Sequence, residues 1–224
     1  MTAYKTPRIF SQTGFTLVEM MIALVIAALA MTAILVANMG QSQSYNTQLQ
    51  VANARQKARA AIAMLRADLL MTDRFIVAGP TGIQLRRADG ITVTYAWSPD
   101  DNNNNGSGPE LLRQEGAAAQ ETFAEGIDGI EFFYHFARQP PTNNPDPAQL
   151  RDITAVTISL VSRADGVDPH FQDRDTYRNR TASGQNWAQD RVAADRNLNN
   201  ATPLNDNFHR RFWQETVACR NMVP

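Results

Sequence analysis

Hydrophobic residues fill this chain unevenly, in three successive patterns. From Phe15 to Ala37 only Thr16, Glu19 and Thr32 interrupt an apolar run, which at about 1.5 Å per residue reaches across a hydrocarbon layer of about 30 Å. Beyond it, in "QLQVANARQKARAAIAMLRADLL", Val51, Ala54, Ala58, Ile62, Leu65 and Leu69 recur every three or four positions, while Arg55, Lys57, Arg59, Arg66 and Asp68 fall off that line. That is the spacing of a helix with one buried face. No proline occurs between Pro7 and Pro80, so the two stretches predict one helix from about Phe15 to Leu70, roughly 80 Å long. Gly40 and the polar "GQSQSYNTQ" mark the place where such a helix would bend or loosen. The rest of the chain alternates with period two. "GIQLRRADGITVTYAW" predicts two strands joined at Ala88-Asp89-Gly90, and "GIEFFYHFA", "DITAVTISLVSR" and "RRFWQETVACR" predict three more. The expected class is α+β: a long helix packed on an antiparallel sheet.

These patterns divide the chain into a leader at 1–14, a transmembrane segment at 15–37, its amphipathic continuation at 38–72 and a β-rich domain at 73–224. Long surface loops are expected at 98–110, "SPDDNNNNGSGPE", and at 166–207, a stretch rich in Asn, Asp and Arg. The first fourteen residues carry Lys5 and Arg8 and no acid, which orients the N-terminus to the cytoplasm and everything after the span to the far side. A secretory signal is cut after its apolar stretch. Here the small residue that punctuates the chain, Gly14, precedes it, so cutting there keeps the apolar segment.

Composition narrows the function classes. The 224 residues are 43% hydrophobic and 19% charged, room for one domain and an appendage but not for a polytopic membrane protein. A formal net charge of −1 gives no bulk attraction to nucleic acid, and Arg86-Arg87 and His209-Arg210-Arg211 read as solvated faces. The single cysteine, Cys219, excludes an internal disulfide and reads as a small core residue. His135, His170 and His209 are scattered without metal spacing, and no nucleophile elbow or phosphate-cradling glycine loop occurs, so catalysis is not expected. Asp101, Asn103 and Asn105 followed by Gly106 open like a calcium loop, with oxygen ligands at alternate positions. The twelfth position is Leu112, however, and Glu110 comes two residues early, so a plain Asn/Gly hairpin loop competes with calcium and is preferred.

The segment "GFTLVEMMIAL" resembles the type IV prepilin motif, in which a membrane peptidase cuts after a glycine and methylates the new N-terminal residue. The resemblance implies cleavage between Gly14 and Phe15, N-methylation of Phe15, and Glu19 as the fifth mature residue. It also gives the glutamate a purpose. A carboxylate deep in a bundle of helices needs a partner, and cleavage creates one: the α-amine of a neighbouring subunit's first residue, a pairing that would set the register of otherwise smooth helices. The competing account is a snorkelling carboxylate in a plain anchor. "IAMLRADLL", "GIDGIEFFYHF", "AVTISLVSR" and "RRFWQETVACRN" look like PilW-type minor pilins, with the J-type pseudopilin of type II secretion as a near competitor. The resemblance thus implies a pilin-like fold and a structural subunit at or near a filament tip that primes assembly. It implies the prepilin peptidase, other minor and major pilins and the inner membrane as partners. From another class, the chain could instead be a surface-displayed adhesin or ligand-binding module that uses the pilin segment as a mount.

Overall fold

The computed structural model of the chain describes residues 14–98, 108–174 and 206–219. Two compact units meet in sequence between Asn46 and Thr47. A single element, α1 (Leu17–Leu70), crosses that point.

In the first unit every described residue is exposed, and the helix passes Gly40 without a break. The helical hydrogen-bond pattern is therefore not interrupted at Gly40. A glycine costs a helix only about 0.5–1 kcal/mol relative to alanine, too little to interrupt good helix formers on both sides. The 18-residue window that makes α1 long and apolar enough to cross a membrane lies here and buries none of its surface within the chain.

The second unit holds the core. Along α1, Ala54, Ala58, Ala61, Ile62, Leu65 and Leu69 are buried, close to the stripe read from the sequence, with Val51 only half-buried at its start. Three of the six are alanines, and a side chain that small lets a helix backbone approach a sheet closely. Against it stand two antiparallel sheets where one was expected. The first is a meander of β1 (Thr72–Ala78), β2 (Gly82–Arg87), β3 (Thr92–Ser98), β4 (Glu110–Glu115) and β5 (Glu121–Glu125); the second orders β6 (Ile127–Phe136), β7 (Ile153–Val167) and β8 (Phe208–Ala218). Strand pairing begins at Thr72, opposite Arg87, two residues after α1 ends.

The five strands read from the sequence are β2, β3, β6, β7 and β8. Strands β1, β4 and β5 were not read. "TDRFIVA" and "ETFAE" are short and mix charge with apolar residues, and β4 begins inside the polar stretch assigned to a loop. What makes them strands is partnership: Val93↔Glu115 through Ser98↔Glu110 seats β4 on β3. Gly90, at φ 85°, turns the β2–β3 hairpin in a conformation that side chains resist. At Gly126, φ 65°, an added Cβ would also meet the Arg163 carbonyl at 3.0 Å.

Hydrogen bonds and rings tie the two sheets together. Tyr134 donates its hydroxyl to the Gly79 carbonyl at 2.9 Å and meets Phe75 edge-on with centroids 6.2 Å apart. Trp97 Nε1 donates to the Ile127 carbonyl at 2.6 Å. Strand β6 is buried from Ile127 through Tyr134 without alternation, as a strand covered on both faces must be. Cys219 lies buried in the same core, its amide donating to the Thr154 carbonyl at 2.9 Å. Burial pushes its thiol up to about 12, so it is the small core residue expected.

Candidate assembly site and polar clusters

The start of α1 is built by three residues. Met20 N–H donates to the Thr16 carbonyl at 3.2 Å, which makes Thr16 the N-cap. Its hydroxyl accepts from Glu19 N–H at 3.2 Å, while Glu19 Oε2 accepts from Thr16 N–H at 2.9 Å and from the Thr16 hydroxyl at 3.0 Å. That is a capping box, which satisfies helix-end amides that no carbonyl can reach. Glu19 therefore has a partner in its own chain before any neighbour arrives. The threonine and glutamate three apart in "TLVE" carried that signal in the sequence. Both bonds to the carboxylate use Oε2.

Gly14 and Phe15 immediately precede this cap, both exposed. A Cβ at Gly14 would meet nothing within 4 Å among the described residues. Among the described residues, nothing in the fold demands glycine at 14. From Phe15 to Met39 every large apolar side chain exposes more than half of its surface.

In the globular unit, residues read as solvated are instead joined in buried ionic clusters. Asp68, off the apolar line of α1, is 4% exposed. Its Oδ2 accepts from the Tyr95 hydroxyl at 2.6 Å and from Arg113 Nη2 at 3.1 Å, and its Oδ1 from Arg87 Nη1 at 3.2 Å. Arg87 reaches on to Asp89 and Arg113 to Glu115. Burial, and then the bond to Asp68, push the Tyr95 phenol above its usual range. Arg86, the other half of its basic pair, forks onto Asp73.

The second cluster corrects the reading of His209-Arg210-Arg211, of which only Arg211 is exposed. Arg210, 7% exposed, donates to Asp128 Oδ2 at 2.6 Å, to Asp173 Oδ2 at 2.8 Å and to both oxygens of Asp206 at 2.6 Å. Beside it His209 Nε2 lies 3.0 Å from Asp168 Oδ2, stacked on Phe171 with centroids 3.7 Å apart. Thr47 donates its hydroxyl to the same Asp168 oxygen at 3.0 Å. These contacts pinch together the two ends of the 166–207 stretch: Asp173 N–H reaches the Asp206 carbonyl at 2.7 Å and Asp168 N–H the Asn207 carbonyl at 2.8 Å.

Asp101, Asn103 and Asn105, the residues of the calcium reading, lie outside the described residues. Among the described residues, no group of three His, Cys, Asp or Glu could hold a metal ion. His135, His170 and His209 do not come together; His135 pairs with the Thr157 hydroxyl at 2.7 Å.

Residues 9–35 match the family description "Prokaryotic N-terminal methylation motif". The N-terminal region carries a prepilin-like methylation motif. Gly14, Phe15 and Glu19 of this prepilin-like segment all fall within the matched residues. No curated protein matches the chain. Among solved structures, a type IV-like pilin from Thermus thermophilus aligns over 76% of this chain and 97% of its own at 10% identity, with a TM-score of 0.46.

Proposed function

We propose that the chain is a minor pilin. Residues 15–37 hold it in the inner membrane with the N-terminus cytoplasmic and the β-rich domain periplasmic. A prepilin peptidase cuts between Gly14 and Phe15 and methylates Phe15, and the mature subunit then enters a type IV pilus at or near its tip, where it primes assembly with other pilins. The observation that carries this reading is the methylation motif across residues 9–35 on a helix whose apolar surface is exposed all round. Such a surface requires lipid before assembly and other apolar helices after it. The open space around Gly14 supports a demand for glycine imposed by a peptidase gripping extended backbone.

Replacing Gly14 with valine tests it. Mass spectrometry of the membrane fraction should find the leader retained on the Gly14→Val protein and removed from the wild type; normal cleavage of the variant would sink the assignment. Recovery of wild-type protein with sheared pili supports the pilus, whereas dependence of an exoprotein pathway on it would move the subunit to type II secretion.

A further inference from the structure

Along one flank of α1, Thr47, Gln48, Val51, Ala52, Arg55, Gln56 and Arg59 face Arg211 of β8 across a concavity of about 750 Å³. Three arginines converge there, and no carboxylate lines it among the described residues. Elsewhere in this unit six arginines are neutralised: Arg66 by Glu215, Arg86 by Asp73, Arg87 and Arg113 by Asp68, and Arg163 and Arg210 by Asp128. Arg55 and Arg211 have no ion pair among the described residues, and Arg59 only rests its guanidinium over Trp213, 5.7 Å from the ring centroid. Asp168, which the groove residue Thr47 contacts, is occupied by that hydroxyl, by His209 and by the His170 amide.

Arg55 and Arg59 sit one helical turn apart on the same face, a spacing at which like charges repel. An anion placed between them and Arg211 relieves that repulsion and gains charge-assisted hydrogen bonds from planar forks that fit a carboxylate in two-point fashion. The other groups in the groove suit a peptide. Thr47, Gln48 and Gln56 can pair with backbone amides and carbonyls, and Val51 and Ala52 give a short apolar floor. A single-stranded nucleic acid would need stacking platforms; no aromatic ring lines the groove, and the face of Trp213 is taken by Arg59.

We propose that this groove binds a short acidic peptide segment of another protein chain, with its carboxylates held by Arg55 and Arg211. The chain's own 175–205 stretch is a poor occupant, since its three aspartates, Asp175, Asp190 and Asp195, are outnumbered by Arg178, Arg180, Arg191 and Arg196. Binding of such a segment is a property of the folded chain and does not require that it enter a filament.

The test uses the full chain in detergent micelles and a fluorescein-labelled hexa-aspartate peptide, followed by anisotropy at low salt, where charge contacts are least screened. Saturable binding is expected. Loss of both guanidinium contacts in the Arg55→Ala, Arg211→Ala double variant should weaken it at least roughly tenfold, and the Arg55→Lys, Arg211→Lys variant should fall between, since lysine keeps the charge without the fork. Arg138, also exposed but outside the groove, serves as control, and Arg138→Ala should bind as wild type. Unsaturable binding, a double variant equal to wild type, or an equal loss at Arg138→Ala would overturn the proposal. So would stronger competition by inorganic phosphate or a single-stranded oligonucleotide of equal charge than by unlabelled hexa-aspartate. Matching thermal melts of all variants keep the comparison free of misfolding.

Discussion

At Glu19 one carboxylate has two separable tasks. Within the chain it completes the cap on α1 through Thr16; in the proposed filament its charge meets the amine of a neighbouring subunit. Glutamine can fill the same place in a capping box but carries no charge. Glu19→Gln should therefore insert, be cleaved after Gly14, and yet drop out of sheared filaments, while Glu19→Leu should show the same defect with a frayed helix start in addition, costing about 1 kcal/mol. If Glu19→Gln protein entered filaments at the normal ratio, capping would be the glutamate's whole role. Asp68 shows the same logic inside the domain. Removing one partner of a buried ionic group typically costs about 3–5 kcal/mol, and Asp68→Ala would strand the Tyr95 hydroxyl as well as two guanidinium groups. Because Arg87 and Arg113 keep Asp89 and Glu115, the expected loss in urea unfolding lies at the lower end of that range. A loss below about 1 kcal/mol, the scale of an exposed pair, would mean that the cluster is wetter than its burial indicates.

Among the elements, the β7–β8 pair is the most informative. Its strands run in register from Ala155↔Ala218 to Arg163↔Arg210 and close again at Val167↔Phe208, and beyond that point Asp173, Asp206 and Arg210 cinch the connection. The residues between Arg174 and Asp206 are thus attached at a base that the rest of the domain already holds. Replacing 175–205 by three glycines should leave the fold intact and, because a shorter loop costs less entropy to close, raise its stability by up to about 2 kcal/mol. A lower unfolding midpoint would show that the stretch contributes packing of its own.

For the molecule as a whole, acid stability should fall in two stages. Asp168 lies below the usual carboxylate range, held there by His209 first and then by the His170 amide; at Asp206 burial opposes but the Arg210 hydrogen bonds prevail. Carboxylates lowered in the folded state contribute stability that is present above their unfolded value of about 3.9 and lost as pH falls through the lower folded values. His135 works at higher pH. Burial lowers its pKa, so the unfolded chain takes up a proton first, from about 6.5 downward, and stability declines as pH falls from there to the folded value. The midpoint of thermal unfolding should sag gently below about pH 6.5 and steeply below about pH 4. His135→Gln should remove the first stage and leave the second; persistence of the first would place its origin elsewhere.

Some of this was legible in the chain because it depends on neighbours in sequence. The apolar run from Phe15 to Ala37, the stripe from Ala54 to Leu69, the glycine before the run and the threonine and glutamate that cap it all act within one or two helical turns, and so do the turn at Gly90 and the alternation of β2 and β3. What could not be read there is whatever joins distant residues. Strands β1, β4 and β5 carry too little alternation to declare themselves and exist because β2, β3 and β4 in turn supply partners. Asp68 and Arg210 look like surface charges until folding brings Tyr95 and Arg113, 27 and 45 positions away, to the one, and Asp128, 82 positions away, to the other. A charge enters a protein interior only when its counter-charge and hydrogen bonds enter with it. The sequence by itself determined the apolar run and the methylation motif that opens it; the second sheet, the buried ionic clusters and the arginine groove between α1 and β8 were decided by which distant residues the tertiary fold brings together.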